Sequence, residues 1–184
     1  KRAEVVEEIG ARLAESDPAG KVMVLLHSLA FGSLGEFVPG KSKNAIRQSQ
    51  VDMTLDVMAN SLIYWTQDLL YRGLLGSGAR IFAMTSAGSH RVWRSYGAVS
   101  GAKACLEAYI RQLALELAPR GITANAVRAG VTDTRAARAI PGFDEMAHEA
   151  MTRNPMGRMT RPEDVAATIG ALCVPETYWL TGNV

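Results

Sequence analysis

A long amphipathic helix is predicted between Tyr96 and Leu117, and this helix and its flanks limit the fold more than any other stretch of the sequence. Apolar side chains recur there at three- and four-residue spacing, at Val99, Ala102, Leu106, Tyr109, Ile110, Leu113 and Leu117. The run ends at Pro119-Arg120-Gly121, residues at which helices commonly stop. Short apolar stretches that predict strands lie on either side, over 79–84 and 121–127. Strands that alternate with helices in this way are typical of an α/β protein.

The same predicted helix bears a phenol and an amine. Tyr96 and Lys103 are seven residues apart, so a rotation of about 100° per residue returns both to nearly one face, about 10 Å apart along the axis. A flat cofactor ring fits between two such groups. A Tyr and a Lys also reach this spacing by chance, so the flanking segments decide between the two interpretations.

Other stretches continue the alternation of strands and helices. Helices are predicted over 1–14 and over 51–71, each with its apolar side chains on one side. A last helix, from Pro162 to Cys173, is predicted from the proline in its first turn and the acidic residues that follow it. A continuous apolar run from Lys21 to Leu26 predicts a strand that is buried on both faces of a parallel sheet. Residues 32–50 are rich in Gly, Pro, Ser and Lys and predict a loop.

The composition is typical of one globular domain and argues against several classes of function. The 184 residues are 48% hydrophobic and 21% charged, which is enough to bury a core. A formal charge of +2 is too small to predict binding to nucleic acid or to a membrane surface, and no apolar run reaches the roughly 18 residues of a membrane span. Cys105 and Cys173 lack metal-ligand spacing, so we expect no metal site and two reduced thiols in a cytoplasmic protein.

Taken together, these segments resemble the short-chain dehydrogenase/reductase family. A strand ends in Thr85-Ser86, the helix follows, and the next strand leads into a Gly-Val-x-x-Thr loop at 130–134. The family's usual Tyr-x-x-x-Lys is missing, because Val99 stands four residues before Lys103. Tyr-x6-Lys and the run His27-Ser28-Leu29-Ala30-Phe31 are instead similar to the enoyl-acyl-carrier-protein reductase branch, and the run from Ser86 to Leu115 is similar to its NADPH-dependent members. The resemblance implies a doubly wound parallel sheet of the Rossmann type.

A fold of this type normally begins with a strand and a glycine-rich turn that seats the cofactor's pyrophosphate on a helix N-terminus. No such turn is found in the sequence, and the first predicted strand comes only at Val22. Residues 178–184 resemble the entry to a last strand. We therefore expect residues 1–184 to be the middle and rear of one longer domain, without its N-terminal strand-helix-strand units and its C-terminal end.

The resemblance implies a reaction and a role for each matching residue. The reaction is hydride transfer from NADPH, or alternatively NADH, to the C=C bond of an enoyl thioester of acyl-carrier-protein or coenzyme A in fatty acid synthesis. Tyr96 is expected to donate a hydrogen bond to the thioester oxygen, and Lys103 to bind the nicotinamide ribose. The other expected cofactor contacts are Ser28, Leu29 and Ala30 for the adenosine half, Ala129, Gly130 and Val131 for the carboxamide, and Thr132 and Thr134 near the pyrophosphate.

Ser86 leaves two alternatives open. It lies seventeen residues before Lys103, where the family has its catalytic serine, and ten before Tyr96, where the best-known enoyl reductases have a second tyrosine. Ser86 therefore either hydrogen-bonds the substrate or cofactor, or only caps a turn. The first spacing favours a ketone or 3-oxoacyl reductase as a second hypothesis. A catalytically silent scaffold that keeps the fold is the third.

Two polar residues are predicted to be structural. Family members that reduce ketones have Asp-Val-Asn in the second helix, and Asp56-Val57-Met58 stands there in this chain. Asn60 is two positions further on and points about 200° away, so we expect it to lie at the surface or to contact a neighbouring helix. His27 ends a strand, where a hydrogen-bonded structural histidine is more common than an acid or base.

Two further expectations concern the rear of the domain and its assembly. Residues 135–160 contain a Pro-Gly hinge and a Met-rich helix, which suits a lid over an acyl chain. The resemblance also implies pairing of the two long helices between subunits, which would place the large apolar side chains Trp65, Leu69, Tyr109 and Leu113 in helix-rich interfaces. A homotetramer or homodimer is therefore expected.

Overall fold

A parallel three-stranded sheet forms the centre of the part of the chain that the structure, a computed structural model, describes, residues 1–39 and 45–184. The strands are β1 (Val22–His27), β2 (Leu75–Thr85) and β3 (Thr123–Arg128), and their order in the sheet is β1-β2-β3. Each strand is joined to the next by a helical crossover. The predicted α/β architecture with a parallel sheet is confirmed.

The helices lie where the chain leaves the sheet. In chain order they are α1 (Arg2–Ser16), α2 (Gln48–Leu55), a π-helical turn (Asp56–Asn60), α3 (Ser61–Tyr71), α4 (Gly97–Leu117), α5 (Arg135–Arg138), α6 (Phe143–Arg153) and α7 (Pro162–Ala171). Short 3-10 turns occupy Ala87–Ser89, Ala118–Arg120 and Pro175–Thr177. No helix in the described part of the chain combines the length and apolar character needed to cross a bilayer.

Helix α4 packs against the sheet along the stripe that its sequence predicts. Ala102, Leu106 and Ile110 are completely buried. Leu106 and Ile110 belong to a core cluster with residues of α1, the π-helical turn, α3, β2 and β3, and the partly buried Val22 and Leu25 of β1 pack against it. The other buried members of the cluster are Val6, Ala59, Leu62, Leu69, Leu75, Ala79, Ile81, Ala83, Leu113, Ala114, Leu117, Ile122, Ala124 and Ala126. Burying one large aliphatic side chain contributes about 1.5–3 kcal/mol, so this cluster is the main favourable term that holds α4 on the sheet.

The end of α4 follows the predicted stop. Gly121 has φ +67°, a left-handed conformation that glycine adopts without steric cost, and the Ile122 amide donates to the Leu117 carbonyl at 3.3 Å. The chain then enters β3, which pairs with β2 from Arg80–Thr123 to Thr85–Arg128. This register sets the strand ends of β2 and β3 side by side.

Strand β1 differs from its prediction. Met23, Val24 and Leu26 are 53, 39 and 45% exposed, so the expectation of burial on both faces is wrong for this chain. The physical reason is position: among the described residues β1 pairs only with β2 and forms an edge of the sheet. Strand β2 begins at Leu75, four residues before its predicted start, and the pairing with β1 shifts register between Val22 and Val24.

The helix predicted over 51–71 begins earlier and is interrupted. It starts at Gln48 and contains the π-helical turn, which the apolar periodicity did not indicate. The loop predicted over 32–50 is therefore shorter, and its residues 40–44 lie outside the described residues. Leu69 and Leu113 are 2 and 7% exposed, so these two side chains belong to the core and not to a free surface for another subunit.

The last helix of the chain is shorter than expected. Helix α7 begins at Pro162 as predicted but stops at Ala171, before Cys173. Residues 178–184 form no strand, which agrees with the expectation that they only lead towards one. Two backbone bonds nevertheless attach this segment to β3, from the Gly182 amide to the Ala124 carbonyl at 2.7 Å and from the Ala126 amide to the Asn183 carbonyl at 2.8 Å.

The tight packing around Gly32, in the segment after β1, predicts that one added methyl group will destabilise the fold. A Cβ on Gly32 would lie 2.7 Å from Met58 Sδ and 2.9 Å from Val99 Cγ2. We expect Gly32→Ala to lower the free energy of unfolding by about 1–3 kcal/mol, the range for overpacking. Gly170→Ala is the control, because a Cβ there meets no atom within 4 Å. Equal midpoints for both variants in urea unfolding would contradict this packing.

Candidate active site

The carboxyl ends of the three strands form one edge of the sheet, and the predicted site residues follow them. β1 leads into Ser28-Leu29-Ala30, β2 into Ser86, and β3 into the loop that begins at Ala129. Because Thr85 pairs with Arg128, Ala129 lies beside Ser86. Ligands of parallel α/β sheets bind outside this edge.

Lys103 is buried at the centre of this edge. Its side chain is 5% exposed, and its ammonium group donates to the Met84 carbonyl at 2.7 Å and to the Leu29 carbonyl at 3.3 Å. Burial lowers the pKa of Lys103 from 10.5 to about 8. The amine is therefore mostly charged at neutral pH, and two of its three protons are used by the ends of β1 and β2. One N–H remains for a ligand.

His27 lies next to this lysine and is tied to the start of α3. Its Nε2 is 2.8 Å from Ser61 Oγ, and that hydroxyl donates to the Val57 carbonyl at 2.7 Å, so the imidazole Nε2–H is the donor. The ring is 4% exposed. Burial, and then the charge of Lys103, lower the pKa of His27 from 6.5 to about 4. The expected hydrogen-bonded histidine is confirmed.

Tyr96 occupies the residue immediately before α4, and its ring lies on the loop that follows β2. A Cβ on Gly88 would be 2.6 Å from Tyr96 Cε1, so only glycine allows this approach. Burial raises the pKa of the Tyr96 phenol, and its interaction with the Ser86 hydroxyl opposes that rise. Ser86 Oγ also accepts a hydrogen bond from the Gly88 amide at 3.2 Å. Ser86 thus caps a turn, as one alternative proposed, and at the same time lies beside the phenol.

The backbone before Tyr96 is strained. Ser95 has φ +60°, and among the described residues it is the one non-glycine with positive φ. Two backbone bonds hold the turn, from the Tyr96 amide to the Trp93 carbonyl at 3.2 Å and from the Gly35 amide to the Ser95 carbonyl at 2.8 Å. No residue in this stretch indicated the turn, because serine does not favour the left-handed conformation.

The loop after β3 is fixed by its own hydroxyls and by Thr160. The Thr160 amide donates to the Val131 carbonyl at 3.1 Å, and the Thr132 hydroxyl donates to the Gly130 carbonyl at 3.1 Å. Thr134 Oγ1 accepts from the Ala137 amide at 3.1 Å and so caps α5. The hydroxyl proton of Thr134 is free for a ligand, whereas that of Thr132 is engaged.

One contact at this edge was missed from the sequence. The Thr85 hydroxyl donates to Glu107 Oε1 at 2.7 Å, and Glu107 lies one helical turn after Lys103 on the same side of α4. A carboxylate four residues after the lysine was the available indication. Asn60 Oδ1 accepts from the Tyr109 hydroxyl at 3.0 Å, which confirms the contact with a neighbouring helix that was one of the two expectations for Asn60.

A separate cleft of about 500 Å³ lies on the far side of the 88–93 loop. It is lined by that loop, by Phe37 and by the exposed side of the first turns of α4, and neither Tyr96 nor Lys103 lines it. The cationic and aromatic side chains His90, Arg91 and Trp93 border this cleft. Within residues 1–39 and 45–184, no cluster of His, Cys, Asp and Glu could hold a metal ion.

The buried imidazole predicts a pH dependence of stability. In the unfolded state His27 has its ordinary pKa of 6.5, whereas in the folded state its pKa is about 4. The stability that depends on a neutral imidazole is therefore fully present above pH 6.5, and the free energy of unfolding falls as the pH drops towards 4. His27→Gln retains an N–H for Ser61 and removes the titration. We expect the free energy of unfolding of this variant, measured in urea, to change less between pH 7 and about 4 than that of the wild type, because the variant lacks the imidazole that titrates in this range. His148→Gln, at an exposed site on α6, should keep the wild-type slope.

With this geometry in hand, comparison with known proteins gives a consistent result. A family model described as "Enoyl-(Acyl carrier protein) reductase" matches residues 2–184. The NADH-dependent enoyl-[acyl-carrier-protein] reductase of Aquifex aeolicus is 32% identical over 165 residues, which are 90% of this chain and 60% of that protein. The NADPH-dependent reductase of Staphylococcus aureus is 29% identical over 164 residues, 89% of this chain and 62% of that protein.

The fold is similar to that of solved reductases. The crystal structure of the Aquifex aeolicus enoyl-[acyl-carrier-protein] reductase superposes with a TM-score of 0.83 at 30% identity, over 99% of this chain and 69% of that one. The chain spans 60–62% of the length of the curated relatives named above. Because the family model covers the sequence almost from end to end, this chain belongs to the enoyl-(acyl carrier protein) reductase family.

Proposed function

We propose that the protein reduces the C=C bond of an enoyl thioester held by acyl-carrier-protein, or by coenzyme A, with hydride from a nicotinamide cofactor. One observation carries the proposal: Lys103 is buried between the ends of β1 and β2, and Tyr96 precedes the same helix beside Ser86. This is the Tyr-x6-Lys arrangement of the branch that the sequence resembles. Family membership supports the same reaction.

Tyr96 is the proposed hydrogen-bond donor. Addition of hydride to the β-carbon builds negative charge on the thioester oxygen, and a preorganised donor aimed at that oxygen lowers the barrier. The raised pKa of the half-buried phenol keeps it protonated, as a donor must be. The strained turn at Ser95 and the Gly88 contact fix the ring before substrate arrives.

The residues at the strand ends fit a nicotinamide cofactor, which supplies the hydride when bound. Lys103 has one N–H left for the ribose hydroxyls and a positive charge beside them. The backbone of Ala129-Gly130-Val131 is proposed for the carboxamide, and Ser28-Leu29-Ala30, which is exposed, for the adenosine half. Thr134 can donate to a pyrophosphate oxygen with its free hydroxyl proton, whereas Thr132 must first release the Gly130 carbonyl.

The finer assignments follow the resemblance. NADPH is the proposed cofactor and NADH the alternative, since similar reductases are named for each. Residues 135–160 are proposed as a lid over the acyl chain, with Ala147 turned inward and Met151 39% exposed. A cytoplasmic location is proposed from the two free cysteines.

One observation favours ketone reduction as a second candidate. Ser86 lies beside the Tyr96 phenol, as a catalytic serine beside a catalytic tyrosine would. Its hydroxyl, however, already accepts from Gly88. Assays of the full-length protein with crotonyl and acetoacetyl thioesters and each reduced cofactor separate the two reactions, and a protein that reduces neither would support the silent scaffold.

Three substitutions should give different defects if the proposed roles are correct. Tyr96→Phe removes one donor to the developing charge, so kcat should fall by about 10²-fold or more, with little change in cofactor affinity. Lys103→Ala removes a contact to the cofactor and should weaken its binding. Lys103→Arg should restore binding only in part, because a planar guanidinium does not reproduce a compact ammonium. Single-turnover rates and cofactor titrations provide the measurements.

The reverse order would contradict the assignment of Tyr96. If Ser86→Ala abolished turnover while Tyr96→Phe had a mild effect, Ser86 would supply the essential hydroxyl and ketone reduction would become the better proposal. Ser16→Ala, at an exposed site on α1, is a matched control for the loss of one serine hydroxyl.

A homotetramer or homodimer is also proposed, now with different side chains at its interfaces. Tyr71 at the end of α3 and Leu115 on α4 are 84 and 71% exposed, unlike the core residues Leu69 and Leu113. We expect light scattering of the full-length protein to show an oligomer at micromolar concentration, and Leu115→Lys to weaken it. Met156→Lys, at a site that is 77% exposed and outside both helices, is the control. A monomeric wild type would reject the proposal.

A further inference from the structure

Trp93 connects the loop after β2 to the segment proposed as a lid. Its indole Nε1–H donates to the Pro141 carbonyl at 2.9 Å. Its ring lies against Gly142, where an added Cβ would be 3.3 Å from Cζ2. Gly142 has φ +80° and is the residue immediately before α6. The indole therefore holds Pro141 and Gly142, the hinge between α5 and α6, by a hydrogen bond and by ring contact.

In the part of the chain that the structure describes, the Trp93–Pro141 hydrogen bond is the one polar attachment of residues 135–153 to a distant part of the chain. Thr134 caps α5 and Asp133 pairs with Arg138, but both lie next to the segment in sequence. Within residues 1–39 and 45–184, the one other hydrogen bond or ion pair that joins 135–153 to residues outside 133–153 is the bond from the Asn154 amide to the Ala150 carbonyl, at the end of α6. Movement of the hinge away from the body of the domain must therefore break the Trp93 bond.

The backbone of the same tryptophan holds Tyr96. The Tyr96 amide donates to the Trp93 carbonyl at 3.2 Å, across the strained Ser95. A residue in the left-handed region keeps that conformation only while surrounding contacts maintain it. The contacts here are the Trp93 carbonyl on one side and the Gly35 amide on the other. The position of Tyr96 thus depends on where Trp93 lies.

We propose that Trp93 is a positioning residue that couples the hinge between α5 and α6 to the placement of Tyr96. When the hinge is docked, the indole bond and ring contact hold Trp93, and the turn through Ser95 sets the phenol beside Ser86. When the hinge moves away, Trp93 loses its anchor and the turn can relax. The inference rests on the proposed function, since it assigns the consequence of lid movement to the proposed hydrogen-bond donor.

Hydrogen exchange of the full-length protein tests the anchor without any assay of activity. Trp93→Phe keeps an aromatic ring and removes the N–H. We expect amides over 135–153 to exchange about 2- to 10-fold faster in this variant, the factor by which the loss of one ordinary hydrogen bond shifts an opening equilibrium. Trp179→Phe, at an indole that is 82% exposed, is the matched control and should leave exchange unchanged. Equal exchange over 135–153 in the two variants would overturn the proposal.

A test of the coupling requires a measurement at Tyr96 as well as at the hinge. We expect the pH titration of the Tyr96 phenol, followed by NMR of ring-labelled tyrosine, to shift in Trp93→Phe. It should also shift in Gly142→Ala, which changes only the lid side of the contact. If exchange over 135–153 rises but neither variant moves the Tyr96 titration, the coupling is wrong and Trp93 is a packing residue.

Kinetics then distinguish this inference from the proposed function. In Trp93→Phe, kcat for the enoyl thioester should fall while cofactor affinity stays the same, because Lys103 and the strand ends are unaltered. A fall in cofactor affinity with unchanged kcat would contradict the coupling. A wild-type protein that reduces no enoyl thioester would contradict the proposed function, whereas exchange and the Tyr96 titration still decide the coupling.

Discussion

The ammonium group of Lys103 is buried, where a charge is costly unless hydrogen-bond acceptors surround it. The ends of the strands are arranged so that they supply those acceptors. Two carbonyls, of Leu29 and Met84, accept its protons, and they come from segments that are far apart in sequence. A buried charge without such partners would be strongly destabilising. The lysine therefore ties the segment just after β1 to the end of β2, at the edge where a ligand can approach the sheet.

The same charge explains its neighbours. A second cation beside it would be repelled, and the neutral His27, held by Ser61, avoids that cost. The phenol of Tyr96 and the hydroxyl of Ser86 lie just beyond, at the end of the strand that also supplies the Met84 carbonyl. One edge of the sheet thus combines a fixed positive charge with uncharged donors, an environment suited to a reaction in which negative charge develops on an oxygen.

Much of the scaffold was predictable because it depends on local patterns. The apolar stripe of α4 and its glycine stop required only periodicity and the conformational freedom of Gly121. What the sequence could not indicate depends on distant partners. Burial of β1 depends on which strands flank it, and the conformation of Ser95 is held by Gly35, sixty residues earlier. The two roles considered for Ser86 could not be separated, because a hydroxyl can cap a turn and contact a phenol at once.

The π-helical turn between α2 and α3 has a consequence for how the chain tolerates insertion and deletion. A π turn contains one residue more than an α turn, so removal of a single residue over 56–60 would restore a regular α-helix and rotate one half by about 100° against the other. Ser61 would then face away from His27 while both apolar halves remained helical. The length of this turn therefore sets the alignment of helix and strand, and a homologue of different length here must find another partner for its histidine.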